Sequence, residues 1–352
     1  MKALTDHTVE SLRALFSEWG CKPAHADRLL REFFNRGGRV DFGELLLGNA
    51  LTERLNAELP LRQSKILTRS ESIDGTVKLL LGFNGGGAVE SVLMPTPLPE
   101  RAAGCVSSQI GCAMGCDFCA STKRGLERNL EAGEIVEQFL HLREQALQSG
   151  RRLSTLVFMG MGEPLQNFDN VLAAIRRIGG ENLGALGWKQ ITVSTVGIVP
   201  EMYKLAESKP NVALALSIHA PDDETRAKIV PMNRRYPVKE IVAAAKHYYE
   251  TTGRITNLEY CLLRDVNDTD EHARMLAELL AGFRTHVNLI PYNSIGESLS
   301  GVVYGRPEPA RIGQFEKILR ERGVVTHQRR TRGDDVNAAC GQLREMELTR
   351  GA

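Results

Sequence analysis

The chain has 352 residues, of which 42% are hydrophobic and 25% are charged, and its formal net charge is +1. This length exceeds one average domain and the composition is that of a soluble globular protein, so we expect a catalytic domain with a smaller appendage. We also expect a cytoplasmic protein without membrane contact, because no apolar run nears the roughly 18 residues of a membrane helix and no signal segment is visible. The near-zero net charge excludes a protein that binds nucleic acid as a general polycation.

The first part of the chain has the apolar periodicity of helices. Residues 8–19 and 24–36 place leucine and phenylalanine side chains on one helical face. The second predicted helix and the residues just after it also carry basic side chains, namely Arg28, Arg31, Arg36 and Arg39. These arginines either face RNA phosphates or form an ordinary solvated helix face. We predict an accessory helical domain over residues 1–60 that binds RNA.

Residues 64–94 change to the period of β-strands. Two polar turns, at Asp74-Gly75 and at Gly85 to Gly87, separate the alternating segments. This pattern predicts antiparallel strands, which we assign to a β-hairpin extension and linker over residues 61–97.

Strands and helices alternate beyond Pro99, which predicts an α/β fold with a parallel sheet. The predicted strands are Cys105 to Gln109, Thr155 to Met159, Gln190 to Thr195, Val212 to Ser217, Asn257 to Leu263 and His286 to Ile290. The predicted helices lie near residues 132–148, 169–178, 199–207, 238–251 and 270–281. Six such units are too few for a closed eight-stranded barrel. We assign the catalytic core to residues 98–343 and a C-terminal tail to residues 344–352.

Three of the seven cysteines stand in a CxxxCxxC spacing, at Cys112, Cys116 and Cys119. An odd number of cysteines argues against a disulfide scaffold and for metal or redox chemistry. Structural zinc sites have four protein ligands, usually in two separated CxxC pairs, and the sequence has no second pair. Three thiolates on a four-iron cluster leave one iron open for a substrate. The alternative is a set of ordinary buried thiols.

Polar or glycine-rich residues follow four of the predicted strands, where functional residues of parallel barrels gather. They are Gly160-Met161-Gly162-Glu163-Pro164, Ser194-Thr195, Ser217-Ile218-His219 and Pro291-Tyr292-Asn293. The glycines would let a ligand approach the backbone, and the Glu163 carboxylate could accept a hydrogen bond from an ammonium group. A plain strand-to-helix turn would also use Gly and Pro, and His219 could be a purely structural histidine.

The cysteine spacing is the signature of radical S-adenosylmethionine (SAM) enzymes. Together with the flanking segment CVSSQIGC and the distant segment GDDVNAACGQL, it closely resembles the RlmN/Cfr family of RNA adenosine methyltransferases over about residues 90–343. The resemblance implies a partial (β/α)6 barrel and a 4Fe-4S cluster on Cys112, Cys116 and Cys119. It also implies a set of SAM-contacting positions, namely Gly162, Glu163, Ser194, Ser217, Ile218, His219 and Asn293.

The resemblance further implies two catalytic thiols and a base. Cys340 resembles the cysteine that carries a methyl group during turnover, Cys105 resembles its disulfide-forming partner, and Glu90 matches the proton acceptor. From spacing alone, Cys340 would be a buried packing thiol and Glu90 an exposed hairpin residue, while Cys261 is expected in the core. Carbon 2 of adenine is electron-poor, so a simple polar transfer from SAM should fail and a radical route through methylated Cys340 is expected.

The implied reaction methylates carbon 2 of an adenosine in 23S ribosomal RNA, with transfer RNA as a second substrate, and consumes two SAM molecules. We expect a monomer that takes electrons from a donor such as flavodoxin. Basic residues at Lys123, Arg124, Arg128 and from His327 to Arg332 could meet RNA phosphates beside the site. Two alternatives are a Cfr-like enzyme acting at carbon 8, and a non-enzymatic RNA-binding protein stabilised by zinc.

Overall fold

The computed structural model describes residues 2–180, 183 and 186–343; the tail predicted over residues 344–352 lies outside them. Twelve strands form a ten-stranded mixed sheet and a separate two-stranded ribbon. The strands are β1 Ser64–Glu71, β2 Val77–Phe83, β3 Ala88–Pro95, β4 Arg101–Cys105, β5 Gln109–Gly111, β6 Leu126–Asn129, β7 Arg152–Phe158, β8 Ile191–Thr195, β9 Ala213–Ser217, β10 Thr256–Leu262, β11 Thr285–Pro291 and β12 Val325–Gln328.

Helices cross over between the strands of the parallel half. The helices are α1 Val9–Glu18, α2 His25–Asn35, α3 Phe42–Leu45, α4 Asn49–Glu58, α5 Ala132–Gln148, α6 Phe168–Ile178, α7 Val199–Glu207, α8 Asp223–Ile229, α9 Val238–Thr252, α10 Asp270–Leu279 and α11 Pro309–Glu321. Strands β4, β7, β8, β9, β10, β11 and β12 are parallel neighbours in that order. The predicted α/β fold with a partial barrel is therefore confirmed.

The barrel differs from the predicted strand set at both ends. Its first strand is β4, which ends at Cys105 where the prediction began. The small residues Ala102, Ala103 and Gly104 give a weak strand signal, but a side chain at Gly104 would crowd three leucine methyl groups within 3.1–3.2 Å. At the other end, α11 and the seventh parallel strand β12 were missed.

Strands β1, β2 and β3 form an antiparallel meander that joins the main sheet. Both predicted turns are correct, since β1 and β2 meet around Asp74-Gly75 and β2 and β3 around residues 84–87. Strand β3 pairs antiparallel with β4, with Val92 opposite Cys105. The predicted hairpin is therefore an extension of the barrel sheet that brings its residues close to Cys105.

The N-terminal helices pack on α5 and share its hydrophobic core. The rings of Phe34 and Phe139 lie 6.5 Å apart between centroids, and the Thr5 hydroxyl donates to the buried carboxylate of Glu137 at 2.8 Å. Two of the four arginines that were expected either to face RNA or to form a solvated helix face make surface ion pairs. Arg36 pairs with two glutamates and Arg39 with one, Glu144 of α5. Both arginine side chains stay exposed, at 46% and 64%, so these surface ion pairs are compatible with RNA contact and with an ordinary solvated helix face.

None of the helices in the described ranges combines the length and apolarity needed to cross a membrane. Apolar side chains from the N-terminal helices, the meander and the barrel form one continuous core. A second, smaller apolar cluster surrounds the loop that carries Cys112 and Cys116. This second cluster marks the end of the barrel where the carboxyl ends of the strands meet.

Candidate active site

A short ribbon closes the loop that carries the three motif cysteines. Strands β5 and β6 pair on either side of it, and the Cys112 N–H donates to the carbonyl of Gly125 at 2.9 Å. Gly111, with a φ of +73°, approaches so closely that a side-chain carbon there would lie 1.9 Å from the same Gly125 oxygen. Glycine is therefore required at the base of the loop. All three cysteines line one cavity at the barrel mouth, which we name the cluster cavity.

The chemistry of these donors fits an iron-sulfur cluster. Burial raises the pKa of Cys112 to about 12 and also raises the pKa values of Cys116 and Cys119, and the neighbouring thiols raise those of Cys112 and Cys116 further. Three thiolates are therefore costly here unless a cationic centre binds them. No three His, Cys, Asp or Glu side chains of the described chain converge as they would on a single ion. A four-iron cluster does not need such convergence, because each thiolate binds a different iron.

The segment after β7 forms one wall of the cluster cavity. Gly162 has a φ of +96°, and a side-chain carbon there would lie 2.5 Å from Cβ of Gln109. The carboxylate of Glu163 accepts the N–H of Leu165 at 3.0 Å and the N–H of Val196 at 2.9 Å, one on each oxygen. Burial nevertheless raises the pKa of Glu163 to about 7. The Thr195 hydroxyl also donates to this carboxylate. A carboxylate has about four lone-pair sites, so one remains that could accept a ligand ammonium group.

The next two strand ends supply the opposite wall. Ser194 and Ser217 line the cavity, with their hydroxyl oxygens 3.4 Å apart. His219 also lines it, and its Nδ1 accepts the N–H of Cys261 at 3.0 Å. Burial lowers the pKa of His219 to about 3, so the ring is neutral with its proton on Nε2. Ile218 is fully buried outside the cavity.

Cys340 reaches the barrel mouth on a segment that runs back across it, which we name the Cys340 segment (residues 333–343). Its backbone is fixed on the cluster side by hydrogen bonds from Ala120 N to the Gly341 carbonyl and from the Ser121 hydroxyl to the Leu343 carbonyl, 2.8 and 2.9 Å long. Asn293 donates its side-chain amide to the Cys340 carbonyl at 3.1 Å. Asn293 therefore contacts the Cys340 segment, and it does not line the cluster cavity.

The tip of the β1–β2 turn holds the other end of the Cys340 segment. The Asp74 carboxylate accepts the N–H of Gly333 at 3.1 Å, and the Asp335 carboxylate accepts the N–H of Ile73 at 3.2 Å. Burial opposes the shift at Asp74, but hydrogen bonds from Thr76 and Ser72, together with that from Gly333, lower the pKa of its carboxyl group. The Ser72 hydroxyl and then the Ile73 N–H lower the pKa of Asp335. Both carboxyl groups therefore stay ionised at neutral pH. The meander therefore acts as an anchor for the segment.

Two cavities meet at Cys340. One is the cluster cavity, and the other, which we name the second cavity, runs along inward-facing residues of β4, β7 and β8. Cys105 lines the second cavity, and burial raises its pKa to about 12. The Cys340 thiol is accessible from the cavities although protein encloses it, and burial also raises its pKa. The structure thus brings together the two thiols that are 235 residues apart in sequence.

Arg329 faces these thiols and was not recognised from sequence as an internal residue. It lines both cavities, and its positive charge opposes the rise of both thiol pKa values. Its Nη1 lies 3.5 Å from the buried carboxylate of Glu259. In the sequence Arg329 belongs to a run of basic residues directly after β12, a strand that was not predicted. Without that strand, no pattern indicated that the Arg329 side chain faces the cavities.

Glu90 lies on β3, two residues before Val92, which lines the second cavity. Residues two apart on a strand share a face, so Glu90 faces the same side. Its side chain is buried, and Oε1 lies 2.8 Å from Nζ of Lys78. Lys78 also donates to the carbonyl of Asn337 at 3.4 Å. Glu90 is therefore a buried, paired residue beside the Cys340 segment.

A covering loop (residues 294–304) lies over the cysteine loop. It is held by Asp117, whose carboxylate accepts the hydroxyls of Ser298, Ser300 and Tyr304 and the N–H of Ser300, at 2.6–3.0 Å. Lys123 donates to the carbonyl of Ile295 at 2.9 Å. Arg128 pairs with Glu134. These two basic residues, expected to meet RNA, are thus engaged within the protein.

Comparisons with known proteins agree with this geometry. Residues 106–277 match the Radical SAM superfamily. The probable dual-specificity RNA methyltransferase RlmN 1 of Opitutus terrae is 50% identical over 342 residues, 97% of this chain and 96% of the relative. The probable dual-specificity RNA methyltransferase RlmN of Desulforamulus reducens is 43% identical over 97% of this chain and 95% of its own length.

A solved structure agrees with the fold over almost the whole chain. The crystal structure of a radical SAM methyltransferase from Sphaerobacter thermophilus matches with a TM-score of 0.91 at 41% identity, over 98% of this chain and 99% of the other. The cysteine loop and most of the strand-end residues line the cluster cavity, and the thiols of Cys105 and Cys340 both line the second cavity. Together with this geometry, these relationships identify the chain as a member of the RlmN family of radical SAM RNA methyltransferases.

Proposed function

We propose that this enzyme methylates carbon 2 of an adenosine in 23S ribosomal RNA and of an adenosine in transfer RNA, using two SAM molecules per turnover. The observation that carries the proposal is the position of Cys340 at the junction of the cluster cavity and the second cavity. A sulfur at that junction can accept a methyl group on one side and present it to an RNA base on the other.

In this proposal, Cys112, Cys116 and Cys119 hold a 4Fe-4S cluster with one open iron. When bound, the cluster would supply the electron that cleaves SAM to a 5′-deoxyadenosyl radical. The residues around the cluster cavity bind and orient SAM: Gly162 by its open backbone, Glu163 by its carboxylate, and Ser194, Ser217 and His219 by their polar atoms. Ile218 contributes only its backbone, and Asn293 acts by holding the Cys340 carbonyl.

Cys340 then carries the methyl group taken from the first SAM. The 5′-deoxyadenosyl radical would take one hydrogen atom from this group, and the remaining carbon would bond to the adenine. The unpaired electron of the adduct would return to the cluster as the ring proton leaves. Glu90 takes the proton from the ring carbon. Cys105, as a thiolate, attacks the Cys340 sulfur, so the sulfur–carbon bond breaks and a Cys105–Cys340 disulfide remains. The departing carbon takes a proton from water and becomes the methyl group of the released base. Burial opposes formation of the Cys105 thiolate, and the charge of Arg329 favours it.

The second cavity fits the approach of an RNA chain. Four cations line it, Lys189, Arg329, Arg330 and Arg332, and its lining residues in the described chain include no carboxylate. A positive surface of this kind attracts phosphate groups. The relatives named as dual-specificity RNA methyltransferases support a pair of RNA substrates. We further propose a cytoplasmic monomer that uses a reductant such as flavodoxin and contacts RNA through residues 1–60.

The test is to incubate the anaerobically reconstituted protein with SAM, a reductant and each RNA, and to identify the modified nucleoside by mass spectrometry. We expect 2-methyladenosine from both RNAs with the native chain, and none with Cys340→Ala. Iron and sulfide analysis of the same sample should show a four-iron cluster. Formation of 8-methyladenosine would assign the Cfr-like reaction instead, and a zinc protein without product would contradict the enzymatic proposal.

A further inference from the structure

Helix α8 buries an arginine completely beneath the cluster cavity. Arg226 has no exposed surface, and all the hydrogen-bond acceptors of its guanidinium group are neutral. The acceptors are the carbonyls of Ile218 at 2.8 Å, Val196 at 2.6 Å and Ser217 at 3.1 Å, and Oδ1 of Asn233 at 3.1 Å. Its N–H groups are thus well satisfied, but its positive charge is not neutralised by them.

A buried charge without a partner of opposite sign is costly. The loss of hydration of a buried ion is unfavourable, and hydrogen bonds to neutral groups offset it only in part. Within the described chain no carboxylate forms an ion pair with Arg226. The nearest candidate in sequence, Asp223, directs its Oδ1 to the side chain of Asn233 and the N–H of Val238. Burial lowers the pKa of Arg226 to about 10, although Cys116 and Asp223 favour its charged form from a distance. Among the described residues, Arg226 therefore has no negative charge bonded to it directly.

A negatively charged group bound in the cluster cavity would be separated from Arg226 only by the cavity wall. Val196 and Ser217, whose carbonyls bind the guanidinium, both line the cluster cavity. The carbonyl of Ile229, one turn after Arg226, accepts the N–H of Asp117 at 2.9 Å, which ties α8 to the cysteine loop next to Cys116. Burial raises the pKa of the Cys116 thiol, and the positive charge of Arg226 opposes that rise.

We propose that Arg226 is the internal counter-cation of the cluster held by Cys112, Cys116 and Cys119, and that it raises the reduction potential of this cluster. The inference rests on the cluster of the proposed function. Reduction adds one electron, and therefore one negative charge, to the cluster. A fixed positive charge behind the cavity wall stabilises the reduced form more than the oxidised form. Removing that charge must then lower the potential.

Two substitutions separate the charge of Arg226 from its hydrogen bonds. Arg226→Gln removes the charge and keeps a donor, whereas Arg226→Lys keeps the charge and loses most of the donors. Lys228→Gln is the matched control on the same helix, because Lys228 is exposed and pairs with Glu224 at the surface. An exposed charge is screened by solvent and should leave the cluster unaffected.

The measurement is an anaerobic redox titration of the cluster followed by electron paramagnetic resonance, after iron and sulfide analysis and without RNA. At a fixed potential near the native midpoint, we expect the ratio of reduced to oxidised cluster to fall at least tenfold in Arg226→Gln, equivalent to a shift of about 59 mV for one electron. Arg226→Lys and Lys228→Gln should stay within about threefold of the native ratio, on the same scale.

A native ratio in Arg226→Gln with full iron content would overturn the inference. If Arg226→Gln fails to retain iron, the lysine variant decides: a native ratio there supports the charge role, and loss of iron in both variants assigns Arg226 to hydrogen bonding alone and overturns it. Absence of a four-iron cluster in the native chain would instead overturn the proposed function, and the inference with it.

Discussion

Glu163 offers the sharpest test of how the cluster cavity binds SAM. Its carboxylate is buried, accepts one backbone N–H on each oxygen, and has a pKa raised to about 7 by burial. We predict that the ammonium group of SAM binds the ionised carboxylate, because a positive neighbour favours the charged form. At low pH the ligand must displace a proton, so the affinity for SAM must rise with pH until the carboxylate is fully ionised.

The size of this effect follows from the pKa of about 7. About 9% of the carboxylate is ionised at pH 6 and about half at pH 7, so the association constant should rise about fivefold over this unit of pH. Binding should release about 0.9 proton per SAM at pH 6. At pH 7 the net release should be about 0.4, because the carboxyl group gives up about 0.5 proton and the ligand amine takes up about 0.1. Above pH 7 the amine of the ligand begins to lose its own proton, with a pKa of about 7.8, so the cleanest comparison is between pH 6 and 7.

Anaerobic titration calorimetry of the reconstituted protein, in two buffers of different ionisation enthalpy, measures both quantities. In Glu163→Gln the neutral side chain cannot titrate, so binding should be weaker, independent of pH between 6 and 7, and without proton release. Glu224→Gln is the control, since Glu224 is an exposed carboxylate on α8. A fivefold rise retained in Glu163→Gln, or a flat profile in the native chain, would refute this role of the carboxylate.

Three further predictions concern how the site is held together. Asp117→Asn removes the charge that binds Tyr304 and its neighbours, so hydrogen exchange in the covering loop should become at least tenfold faster, matching a loss of about 1.5–3 kcal/mol; an unchanged rate would contradict it. Asp74→Asn should speed exchange in the Cys340 segment by a similar factor, because Gly333 loses a charged acceptor; native exchange there would remove the anchor role. Gly162→Ala should lower the denaturant midpoint by the equivalent of about 2 kcal/mol or more, and a native midpoint would contradict the close packing.

The local part of the site could be predicted from the sequence. Three cysteines within eight residues must lie near one another whatever the fold. The spacing therefore predicted that Cys112, Cys116 and Cys119 share one site, and all three line the cluster cavity. The strand-end residues could be placed together because the carboxyl ends of parallel strands share one edge of the sheet. Ser194 and Ser217 illustrate this, since they lie on neighbouring strands and their hydroxyl oxygens are 3.4 Å apart.

The long-range part depended on packing that no local pattern encodes. Arg226 stands between Glu224 and Lys228, which form an i, i+4 surface pair, so its helix looks like a solvated charged helix. Its burial comes from the backbone carbonyls of two distant strand ends. Arg329 likewise looked like one more cation in a basic run. The strand β4 was displaced in the prediction because Ala102, Ala103 and Gly104 have weak strand propensity, and close packing leaves no room for a side chain at Gly104.

The central claim is that Cys340 carries the transferred carbon and that Cys105 releases the product from it. Cys105→Ala should therefore stop after the base is bonded to the protein, because Cys105 and Cys340 are the only cysteines among the described residues that line the second cavity. The most direct measurement is tandem mass spectrometry of this variant after anaerobic reaction with SAM, a reductant and 23S ribosomal RNA. We predict an adenosine joined through one carbon to the sulfur of Cys340. Free methylated adenosine at the native rate, with Cys340 unmodified, would contradict the account.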